Sequence, residues 1–65
     1  MDAYDILRAV HAAEISTLED SGEMSDRLYS DFYEYFVNAG EMPYGTAKAR
    51  DGDPYQWIFD RLVPR

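Results

Sequence analysis

Residues 25–40 read Ser25-Asp26-Arg27-Leu28-Tyr29-Ser30-Asp31-Phe32-Tyr33-Glu34-Tyr35-Phe36-Val37-Asn38-Ala39-Gly40, and their periodicity decides the fold. On a helical wheel of 100° per residue, Leu28, Tyr29, Phe32, Tyr35, Phe36 and Ala39 crowd within about 120°, whereas Arg27, Ser30, Asp31, Glu34 and Asn38 hold the opposite side. A serine accepts a hydrogen bond from the first helical turn, so Ser25 is the expected N-cap, with Asp26 favourably placed against the helix dipole. Gly40 supplies the natural stop. The spacing predicts a helix over 25–39. Tyr33 and Val37 widen its apolar arc beyond what one neighbour covers, so it is expected either at the centre of the fold or partly covered by a second protomer.

Working outward, a first helix over about 2–18 is predicted from the N-cap Asp2, with Asp5 three residues on as an imperfect capping-box partner. Its expected core-facing stripe is Ala3, Ile6, Leu7, Val10, Ala13 and Leu18. Residues 19–24 break the period with acids and Gly22, as a helix-to-helix turn does. Pro43, Gly45 and Gly52 punctuate 41–52, which reads as a long loop. Asp53 as N-cap, Pro54 at the first helical position and Gln56 closing a capping box predict a last helix over about 53–63, stopped by Pro64. Tyr55, Ile58, Phe59 and Leu62 line its apolar face. The expected architecture is all-α: one domain over 1–65, three helices, and a long loop before the last of them.

Sixty-five residues form a small core of marginal stability, and the chain has no cysteine with which to reinforce it. Its ten aromatic residues place it among globular rather than disordered chains. Charge is divided unevenly. Met1 to Glu41 holds ten acids against Arg8 and Arg27, a net −8, and Met42 to Arg65 is +1, giving the overall −7. That field repels nucleic acid and anionic membrane and favours basic protein surfaces. No apolar run reaches membrane-spanning length, and Met1-Asp2-Ala3-Tyr4-Asp5 is acidic where a secretory signal is basic and then apolar, so a cytoplasmic protein is expected.

Few residues carry chemistry. Glu14 falls within the first helix's expected apolar arc and needs a partner, either a cation such as Arg61, a dimer rim, or His11 one turn earlier at a binding or catalytic site. The structural pairing is preferred. His11 and Glu14 at i, i+3 lack the further ligands a metal requires, which leaves His11 expected at the surface. Asp51-Gly52-Asp53 starts like a calcium loop but lacks its closing acid, and a turn followed by an N-cap accounts for it. Lys48 and Arg50 could reach an anion, although a hydrated loop is the simpler reading. No nucleophile motif, phosphate-binding glycine pattern or cofactor motif is present, so neither an enzyme nor a cofactor protein is expected.

The resulting expectation is a small acidic protein-interaction module, a regulatory or accessory protein of a bacterium or bacteriophage. It would bind a protein with a basic surface and form a homodimer, with no direct contact to nucleic acid or membrane. Tyr29, Tyr33, Phe36, Val37, Trp57 and Arg61 are the expected interface; Trp57 beside Arg61 has the composition of a hot spot, the competing reading being that Trp57 folds over Pro43 and Tyr44. Asp31, Glu34 and Glu41 form an acidic surface. In composition the chain resembles small acidic proteins that inhibit DNA-binding enzymes, many of them phage-encoded, and that resemblance, which covers no motif, implies the alternative of a DNA mimic.

Overall fold

Among the residues described by the computed structural model, 2–48 and 53–64, all regular structure is helical, as expected. The elements are α1 (Ala3–Val10), α2 (Ala12–Ser21), α3 (Asp26–Asn38), α4 (Tyr44–Lys48) and α5 (Asp53–Leu62). None is long and apolar enough to cross a membrane.

The expected caps form. Asp2 accepts from the Asp5 amide at 2.9 Å, and Ser25 accepts from the Leu28 amide at 3.2 Å. At the end of α3 the Gly40 amide bonds the Val37 carbonyl at 3.1 Å and the Glu41 amide the Phe36 carbonyl at 3.0 Å, with Gly40 at φ 71°. This paired closure needs a left-handed residue, which glycine adopts without a Cβ clash. Gly22, at φ 75°, ends α2 in the same conformation. In α5, Gln56 donates to Asp60, one turn on, at 2.9 Å, and the side chain of Asp53, the expected N-cap, lies outside the described residues.

Two features depart from the expected helices. The first helix is not continuous. At His11 the backbone turns to φ −105°, ψ 22°, separating α1 from α2 while the His11 amide still bonds the Leu7 carbonyl and the Ile15 amide bonds the His11 carbonyl. The presumed loop also contains α4, directly after Pro43. Proline is tolerated at a helix start, where its missing N–H would have no intrahelical partner. Asp51 and Gly52, the calcium-like turn, lie outside the described residues, as does Arg50.

Helix α3 is central. Leu28, Phe32 and Phe36 are buried along it, joined by Ile15 and Leu18 of α2 and Ile58 and Leu62 of α5. Met24 and Met42, from the connections before and after α3, plug the ends of this core. On one side α1 meets α3 through Tyr4, whose ring lies 6.3 Å from Phe32 and 5.7 Å from Phe36. On the other side α5 presents Trp57 edge-on to Phe36 at 5.0 Å. Most of the wide apolar arc of α3 is therefore packed within one chain, with Tyr33 half-buried and Val37 exposed at its edge.

Of the stripe expected to face the core from the first helix, Leu7 and Leu18 do so and the other four residues do not. Ile6 is 52% exposed and Val10 71%, and Ala3 and Ala13 are exposed as well. The inward face is Tyr4, Leu7, His11, Ile15 and Leu18, rotated by roughly a quarter turn from the expected one. Two of these five are amphipathic rings that bury their bodies while bonding their polar atoms: Tyr4 Oη accepts from Arg8 at 3.2 Å, and His11 meets Asp31. Arg8 also donates to the Leu62 carbonyl at 3.4 Å, placing a cation at the C-terminal end of α5, where the dipole favours it.

Tyr55 fastens α5 to the turn before α3 by accepting from the Met24 amide at 2.6 Å. In Tyr55→Phe that amide, on a buried residue, loses its acceptor. The expected loss is about 1–2 kcal/mol, read as a lower urea midpoint at unchanged slope; an unchanged midpoint would mean that water replaces the phenol without cost.

Candidate interaction site

The exposed apolar strip of α1 borders a groove. Helices α1 and α3 run antiparallel, since Tyr4 meets Tyr35 at 5.8 Å at one end and His11 meets Asp31 at the other. Between them lies an open depression of about 470 Å³. Its α1 wall is Ala3, Ile6, Leu7 and Val10, and its α3 wall is Asp31, Glu34, Tyr35 and Asn38. One wall is thus entirely aliphatic, and the other carries a carboxylate, Asp31, toward the Val10 end, a second, Glu34, near its middle and a neutral amide, Asn38, toward the Ala3 end.

Behind this groove sits a polar cluster at the α1–α2 break. His11 is 4% exposed, not at the surface as expected. Its Nε2 lies 2.8 Å from Asp31 Oδ2 and its Nδ1 3.7 Å from Glu14 Oε1, and its ring stacks 5.8 Å from Phe32. A buried imidazole needs a partner, and Asp31 supplies it from the next helix. Glu14 is 38% exposed and also accepts from Ser25 Oγ at 3.2 Å, so its partners are His11 and Ser25 rather than Arg61. Because the two carboxylates stand at opposite ring nitrogens, they do not converge on one point. Among the described residues no three His, Cys, Asp or Glu side chains are grouped to hold a metal ion.

The other expected site residues are dispersed. Phe36 is 2% exposed, so its ring is core and presents no surface to a partner. Tyr29 and Tyr33 are half-buried neighbours, with Tyr29 also 5.8 Å from Tyr55. Burial pushes the Tyr29 phenol above its ordinary value of 10.0, with the Tyr33 phenol adding to the shift. Burial likewise raises Tyr35, with Glu41, Asp2, Tyr4 and Asp5 adding to it. The stability linked to these two phenols is complete below pH 10 and is lost as pH rises through their raised folded values. Val37 is exposed. Glu34 and Glu41 are exposed, and Glu41 shares a separate recess with Asp2, Tyr35 and Arg61. Lys48 lies 5.6 Å over the Tyr44 ring.

Trp57 is half-buried against Phe36, with the Arg61 guanidinium 4.8 Å from its ring centre. This is intramolecular packing plus a cation–π contact. Trp57→Ala is expected to lower stability by about 2 kcal/mol, seen as a lower melting temperature. A variant as stable as the parent would show that the indole contributes to binding alone.

Sequence reasoning placed Ile6 and Val10 in the core and so missed the groove. The signal that could have found them is the second arc on the same helix, Tyr4–Leu7–His11–Ile15–Leu18, which has its own three- and four-residue spacing. Comparison with protein-family models, curated proteins and solved structures finds no match to this chain.

Proposed function

We propose that this chain is a small acidic protein-interaction module that acts by binding a protein partner with a basic surface. The observation that carries this reading is the α1 strip: Ile6 and Val10 stand exposed together beside Asp31 and Glu34, on a chain of net charge −7 whose other large apolar side chains are mostly packed. Exposed aliphatic surface rimmed by charge is the make-up of a binding surface rather than of a solvated helix face. Homodimerisation is the weaker form of this proposal, because it would bring two chains of the same sign together.

The alternative, a DNA mimic, needs acids displayed as a free row. Asp31 is tied to His11, and Glu34 borders an aliphatic wall, which suits a protein groove better than phosphate spacing. The test is retention of proteins from a bacterial lysate on the immobilised chain, against a blank matrix and with duplex DNA as competitor. Basic proteins retained in the presence of DNA are expected. Retention of none above the blank sinks the interaction reading, and loss of every retained protein to DNA favours the mimic. The chain itself is expected to leave duplex DNA unshifted in a gel at low salt, since it has no continuous basic track to release counterions.

A further inference from the structure

We infer that the α1–α3 groove docks one short amphipathic helix, two to three turns long, with its apolar face on Ile6 and Val10 and its lysines or arginines over Asp31 and Glu34. This rests on the reading of the chain as a protein-interaction module and names the site and the partner's chemistry.

The α1 wall is eight residues long, about 12 Å of helix axis, which matches roughly two turns of a helix laid alongside it. Ile6 and Val10, one turn apart, offer two aliphatic contacts to partner residues of the same spacing. Acids stand along the whole groove: antiparallel packing puts Asp31 beside Val10 and Glu34, one turn on, near the middle, and Asp2, Asp5 and Glu41 lie near Tyr35 at the Ala3 end. Asp31 is also pre-positioned: one of its oxygens is held 2.8 Å from the buried His11 Nε2 while the side chain stays 43% exposed. A carboxylate already fixed at the groove edge loses little freedom on meeting a cation. The occupant is therefore basic, with cations over Asp31 and Glu34. A second copy of this chain fits poorly, because the first 41 residues are net −8 and would set acids against Asp31 and Glu34.

The test is NMR titration of the full chain, following the Ile6 and Val10 methyls, with three synthetic helical peptides. The first has leucines at i and i+4 and two lysines near one end, the second carries glutamates for the lysines, and the third serines for the leucines. The first is expected to shift both methyls and to bind about tenfold or more tightly than either other peptide. Val10→Ser, at a site 71% exposed, should leave the fold intact and weaken that peptide about tenfold, and Glu34→Gln should flatten its salt dependence. Shifts mapping elsewhere, equal binding of lysine and glutamate peptides, or no binding would overturn the inference. So would concentration-dependent shifts of the same methyls in the free chain, which would make a second copy the occupant. Lysate retention that survives Val10→Ser would keep the interaction reading while removing the groove from it.

Discussion

Phe32→Ala is expected to remove about 4 kcal/mol of stability, the largest effect of any single truncation in this chain. Phe32 is fully buried at the middle of α3, and its ring meets Tyr4 of α1, His11 at the helix break and Phe36 one turn along. Removing it opens a void that three elements line, and the rings around it cannot all collapse inward without giving up their own contacts. A chain of 65 residues has a total stability of roughly 3–10 kcal/mol, so the loss is a large fraction of the whole and unfolds the variant at 25 °C if the parent lies at the lower end of that range. Circular dichroism with urea titration reads this directly, and a loss below about 1 kcal/mol would contradict the packing described.

His11→Ala comes second, at about 3 kcal/mol. The cost has two parts: a cavity against Phe32, about 2 kcal/mol, and loss of the hydrogen bond to Asp31, about 1 kcal/mol. The carboxylates left behind are 43% and 38% exposed and can rehydrate, so they add little. A double-mutant cycle with Asp31→Ala isolates the second part and should return a coupling of about 1 kcal/mol. Coupling near zero would mean that the imidazole contributes packing alone.

These two residues mark the boundary of what the sequence discloses. Asp2, Ser25 and Gly40 are legible because a cap is local chemistry, a side chain or a glycine acting on amides a few residues away. The buried face of α3 is legible too, since Leu28, Phe32 and Phe36 are apolar without ambiguity. The face of α1 is not. Aliphatic residues occupy one arc and Tyr4, Leu7 and His11 another, and which arc turns inward depends on Asp31, a partner twenty residues away. Once α1 rotates, the groove follows, so the candidate site was hidden by the same misjudgement that assigned Ile6 and Val10 to the core. The break at His11 and the short α4 lack strong local signals: one coincides with a tertiary contact, and the other follows Pro43 and contains Gly45, both of which read as helix breakers.

The placement of the single tryptophan has an optical consequence. Trp57 packs perpendicular to Phe36 and under the Arg61 guanidinium, in a molecule spanning only 29 × 28 × 22 Å that also holds six tyrosines. Light absorbed by the tyrosines should therefore drain by energy transfer to the indole while the chain is folded, and tyrosine emission should reappear when it unfolds. The protein carries its own reporter of whether α5 is seated on α3. A ligand lodged between α1 and the far side of α3 would leave that glow largely unchanged, so stability and occupancy can be followed as independent signals in one unlabelled sample.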